Sequence, residues 1–176
     1  GRPHGPHRLP PRPGGSWLGL VFADGRPSRW DSLTTISGHY YWSLERACQA
    51  FGLGLRWDAD LMRGELLEGD SLECGFVVGG EVLVCGEAAL QMRAPVLYLS
   101  DRLLVPLDFP MLMSGRILSD RFEFQPDSLL LVQRPPQGPV ATLPSHQVGN
   151  RTYYTWPLPD CRQATFRTDG IGTISV

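Results

Sequence analysis

The reading of the fold turns on GHYYWSLERACQAFGLGLRWD (38–58). A short aromatic run ends at Ser43, and apolar residues then recur at 44, 47, 48 and 51, the spacing of one helix face. Ser43 is a good N-cap, Glu45 favours the positive end of a helix, and Gly52 suits the left-handed C-cap. Arg46 stands where a capping box would place Glu. The stretch therefore predicts strand, helix over 43–51, then a returning strand at 53–58. It has an echo in LLVPLDFP (103–110), where Pro106, Leu107 and Asp108 stand in for Ser43, Leu44 and Glu45. There Pro106 is expected at an early helical position and Pro110 is expected to hold the helix to about one turn. In both phrases the polar residues read as caps rather than as chemistry.

Outward from this stretch the pattern is β-rich. WLGLVF (17–22), a strand pair around Ser37-Gly38, ELLEG (65–69), ALQMRAPVLYL (89–99) broken by Pro95, and RILSDRFEFQPDSLLLVQ (116–133) supply short extended runs separated by turns. The expected fold class is α+β, a mostly antiparallel sheet curled around one short helix. Before it, residues 1–15 hold five prolines and four glycines without apolar periodicity, which reads as a linker or disordered arm. After it, the Pro-rich linker covers 134–147, and 148–176 reads as the start of a second β-rich unit. The main domain is thus expected over 16–133.

In LECGFVVGGEVLVCGE (72–87), Gly79-Gly80 lies midway between Cys74 and Cys85. A glycine pair between apolar runs marks a hairpin, and counting outward makes the two cysteines cross-strand neighbours. A two-residue loop would put them at a hydrogen-bonded site, whose Cα spacing suits a disulfide less well. A disulfide and two buried thiols both remain open, as does a second bridge between Cys48 and Cys161.

Composition excludes several classes. With 176 residues, 42% of them hydrophobic, the chain can bury a core, and a net charge of −2 gives no footprint for nucleic acid. All 16 basic residues are Arg, without a cluster of them. No apolar run approaches the roughly 20 residues of a membrane span. Beginning at Gly1 and lacking a signal-peptide pattern, the chain is expected to be a mature or trimmed product. The histidines at 4, 7, 39 and 146 make no HExxH, and there is no G-x-S-x-G elbow, phosphate loop or dinucleotide fingerprint. His4 and His7 have no Cys or carboxylate beside them. Cys48 lies in an apolar helix face, and Asp58 and Asp60 read as turn formers. The expectation is a non-enzyme with no metal and no cofactor.

Two aromatic runs, HYYW (39–42) and YYTW (153–156), are the binding candidates. Alternation separates Tyr41 from Tyr40 and Trp42, and puts Tyr154 and Trp156 on one face. One side of each run is expected in a core. The other side, with Tyr41, Tyr154 and Trp156 as its residues, could stack on the sugar rings of a wall glycan.

The ordered set GHYYWSLERACQAFGLGLRWD, FVVGGEVLVCGEAALQMRAP and DRLLVPLDF resembles the copper amine oxidase N-terminal-like domain, also called a stalk domain, over about residues 30–133. Cys85 stands where that family often has Asn, and Pro110 departs from its longer second helix. The resemblance implies an antiparallel sheet curled around a short helix in exported, periplasmic or cell-surface proteins. It implies no copper, since the oxidase chemistry belongs to other domains. Such domains often precede a cell-wall amidase domain, and 148–176 is similar to the opening strands of an intervening β-rich module. The expected function is that of a non-catalytic envelope domain, the targeting or regulatory part of an N-acetylmuramoyl-L-alanine amidase. Its expected partner is a wall glycan or another envelope protein. The alternative is a self-standing interaction module of a surface assembly, with homo-oligomers formed through strand edges.

Overall fold

The computed structural model describes residues 8–135, 145–158, 161–168 and 174–175. The chain divides into two units, Gly1–Pro136 and Gln137–Val176. The first unit begins with β1 (Trp17–Val21), β2 (Arg29–Ser32), β3 (Thr34–Ile36), β4 (His39–Ser43) and helix α1 (Leu44–Phe51). A meander follows: β5 (Gly54–Asp58), β6 (Arg63–Glu68), β7 (Ser71–Val77), β8 (Val82–Cys85) and β9 (Ala88–Gln91). It closes with β10 (Leu97–Leu99), β11 (Arg102–Pro106), helix α2 (Asp108–Leu112), β12 (Phe122–Gln125) and β13 (Leu130–Gln133). The fold is α+β and mostly sheet, as expected. Among the described residues of the first unit three sheets form, in the orders β12-β13-β1-β2, β10-β11-β4-β3 and β5-β6-β7-β8-β9. All pair antiparallel except β1 with β13, which run parallel. No described helix is long and apolar enough to cross a membrane.

The first junction forms as its local chemistry dictates. Ser43 is extended and its side chain accepts from the Arg46 N–H, while Gly52 takes φ +72° and donates to the Cys48 carbonyl. Arg26 donates to the carbonyls of Gln49 and Ala50, at 2.8 and 3.1 Å, and so satisfies the end of a helix that has no basic residue of its own there. The buried face carries Leu44, Ala47, Cys48, Ala50 and Phe51. Phe51 meets Trp42, Phe109 and Phe122 edge-on at centroid distances of 6.2, 6.2 and 5.0 Å. Beside this core Asp31 is buried. It accepts from Trp42 Nε1 at 3.0 Å, Arg29 Nε at 3.1 Å and Arg46 Nη2 at 2.5 Å, tying β2, β4 and α1 together.

The second junction differs from the expectation. Pro106 is the last residue of β11, paired with Tyr41 of β4, rather than an early helical residue. Pro110 does not stop the helix. It lies in the first turn of α2, where its missing N–H has no intrahelical acceptor, and the helix passes into a π-helical turn, Met113–Ile117.

Cys74 and Cys85 are disulfide-bonded with Cα atoms 4.1 Å apart, in the register expected, since Gly75 pairs with Val84. That spacing is closer to a non-hydrogen-bonded pair than to the hydrogen-bonded site expected. The loop is not a free two-residue turn. Gly80 N–H donates to Val77 O, and both glycines also bond with Val96.

The N-terminal arm is corrected in part. Residues 8–15 lie against β1 and β2, where Trp30 Nε1 donates to Pro10 O at 2.8 Å and Trp17 Nε1 to Gly14 O at 2.6 Å. Gly19 of β1 leaves room for this, because a Cβ there would lie 3.1 Å from Leu9 and 2.4 Å from Leu130. In the second unit four strands pair antiparallel: β14 (Ser145–Val148), β15 (Arg151–Leu158), β16 (Cys161–Thr168) and β17 (Ile174–Ser175).

Candidate functional site

Along β5, alternation sends Leu55 and Trp57 to one side and leaves Gly54, Arg56 and Asp58 exposed. Register then decides what Trp57 meets. It pairs with Gly64, which pairs with Phe76. A Cβ on Gly64 would come within 2.3 Å of the Phe76 ring, so the glycine is what lets that ring lie across β6. Trp57 and Phe76 stack at 6.2 Å with planes 7° apart. Trp57 also meets Tyr98 of β10, at 5.3 Å and 43°.

The hairpin of β10 and β11 supplies the rim. Leu99 pairs with Arg102 around a two-residue turn in which Ser100 and Asp101 have φ of +50° and +59°. Asp tolerates this conformation better than most residues, and the turn matches the twist of its strands. Tyr98 donates its hydroxyl to Asp101 Oδ1 at 3.2 Å. Its phenol is pushed up, first by desolvation and then by the Asp101 carboxylate. With Ser43, Glu45 and Leu103, these residues enclose a cleft of about 350 Å³ at the start of α1. Its floor is Leu55, Trp57 and Tyr98; its charged groups are Glu45, Asp101 and Arg102. Such a site can stack on a flat, partly apolar ligand and hydrogen-bond to the ligand's edges.

The candidates named from sequence lie elsewhere. Tyr41 is corrected: only 3% exposed, it packs with Ala94 and Leu104 and donates to Pro95 O at 2.9 Å. The Met92–Val96 segment covers the face of β4 opposite Trp42, so neither face of that strand is open at Tyr41. Tyr154 and Trp156 lie on β15, opposite Phe166 and Ala164 of β16. Their side chains fall outside the described residues, as do His4 and His7. Cys48 is a free thiol in the core, pushed up to about 12 by burial and then by Glu45. Among the described residues no group of three His, Cys, Asp or Glu side chains could hold a metal. What sequence reasoning missed was Trp57 and Tyr98. The signals were the Leu55/Trp57 alternation and the Ser-Asp turn after VLYL.

The chain matches no family model, no curated protein and no solved structure.

Proposed function

We propose that the chain is a non-catalytic, exported domain that holds a cell-wall polymer through the Trp57/Tyr98 cleft. The observation that carries this reading is the pair of half-buried rings 5.3 Å apart beneath a rim of Glu45, Asp101 and Arg102. A pyranose ring presents an apolar face for stacking and hydroxyls for polar partners, and this arrangement meets both. The Cys74–Cys85 bond suits an oxidising compartment outside the cytoplasm. The resemblance to stalk domains favours the same setting, and with it a targeting or regulatory role beside a wall amidase.

Pelleting with purified cell walls tests the reading. Wild type is expected to pellet and Trp57→Ala to stay in the supernatant with its far-UV dichroism intact. Equal pelleting of the two overturns it.

A second reading, an interaction module that pairs with its own copies, draws on the outer face of the five-stranded sheet. There Leu72, Val77, Val82 and Val84 are exposed beside β9, which ends the sheet. Sedimentation of wild type against Val84→Glu tests it: a dimer that the variant abolishes supports it, and a monomer at high concentration rejects it.

A further inference from the structure

The cleft has an unbalanced set of charges. Glu45 and Asp101 face one cation, Arg102, so the lining is formally −1. Neither carboxylate has an ion-pair partner among the described residues, whose salt bridges join Asp24, Asp31, Glu65, Glu68 and Asp120 to arginines instead. Arg46, the nearest base to Glu45 in the chain, is held by Asp31 at 2.5 Å. Asp101 is fixed in place by the Tyr98 hydroxyl and by its turn. Trp57 and Tyr98 line the same cleft as these carboxylates, and an aromatic ring attracts a cation held over its face within about 6 Å of its centroid. A neutral sugar would need the rings but not the charge.

We infer that the cleft selects a wall sugar bearing a free, protonated amine, a glucosamine-type unit rather than its N-acetylated form. The inference rests on the wall-polymer reading above. The pyranose face stacks on Trp57 or Tyr98, and the ammonium sits between the rings and the carboxylates of Glu45 and Asp101. Acetylation removes the positive charge and adds bulk where the carboxylates need contact.

Calorimetric titration with a glucosamine tetramer and with the N-acetylglucosamine tetramer, at low salt and at a pH where the free amine is protonated, is the test. The amine form is expected to bind at least tenfold more tightly. In the double variant Glu45→Gln/Asp101→Asn that preference is expected to vanish; Asn tolerates the left-handed turn at 101, so the hairpin keeps its shape. Glu123→Gln, an exposed change on β12, is expected to leave the preference intact and so controls for general charge. Equal or tighter binding of the acetylated tetramer, or a preference that survives the double variant, overturns the inference. A third arm replaces the tetramers with a lysine-containing wall peptide; tighter binding of the peptide also overturns it, by giving the amine a different source. If neither tetramer binds while walls still pellet through Trp57, the inference fails and the wall-polymer reading stands. If Trp57→Ala pellets like wild type, both fail.

Discussion

Two aromatic clusters organise the first unit, and they differ in what surrounds them. Around Phe51, the rings of Trp42, Phe109 and Phe122 meet edge-on and are sealed from water. Around Trp57, Phe76 and Tyr98 stack or tilt, and two of the three rings remain half-exposed beside charged groups. Sealed edge-on packing spends all of the ring surface on holding the fold together. At the lip of the sheet Trp57 and Tyr98 keep part of their ring surface in contact with solvent. Composition alone does not separate a core from a site; the neighbours that cover the rings do.

The two clusters are expected to differ most at Phe51. Phe51→Ala is expected to cost about 3–5 kcal/mol in chemical denaturation, because it opens a cavity among three rings. Trp57→Ala, half-exposed, is expected to cost about 1–2 kcal/mol. Equal losses would mean that both clusters serve the core.

Asp31→Ala is expected to cost about 3 kcal/mol by the same measurement. It leaves Arg29, Arg46 and Trp42 Nε1 without their shared acceptor beside the sealed cluster. A loss below about 1 kcal/mol would show that solvent reaches these groups.

Gly64→Ala links the two readouts. Its new Cβ collides with the Phe76 ring, so a loss of about 1–3 kcal/mol is expected together with weaker wall binding. Lost stability with unchanged binding would detach Phe76 from the site.

The smallest effect lies away from both clusters, at Asp24. Its hydrogen bonds with the Arg26 guanidinium hold its pKa down to about 2 from 3.8. A lowered folded-state value stabilises the native state above the unfolded pKa, and this is lost as pH falls through roughly 4 to 2. With both side chains about a third exposed, the effect is small and screened by salt. Acid titration of stability is expected to flatten slightly in Asp24→Asn over that window, and an unchanged slope would show that the pair contributes nothing.

How much of this was legible in the sequence follows from distance along the chain. The α1 junction was legible because Ser43, Glu45 and Gly52 act on backbone within a few residues. The cysteine register was legible because Gly79-Gly80 fixes it by symmetry. The second helix departs from expectation at Pro110, since a proline's effect depends on which turn it occupies, and that depends on β11 running through Pro106. The burial of Tyr41 is not legible, because alternation reveals two faces of a strand but not that a distant segment, Met92–Val96, lies over the second. The cleft was hidden for the same reason. Trp57, Phe76 and Tyr98 come together only through strand register and the missing Cβ of Gly64.

The most direct test of the central claim is a residue-resolved map of binding. Amide and indole resonances of the 15N-labelled chain would be followed as soluble wall glycan fragments are added. Binding in the Trp57/Tyr98 cleft predicts shifts at the Trp57 indole, at Glu45 and across Tyr98–Leu103, with the Trp42 indole unmoved. Shifts confined to Leu72, Val77, Val82 and Val84 on the outer sheet face, or to β14–β17, would contradict it.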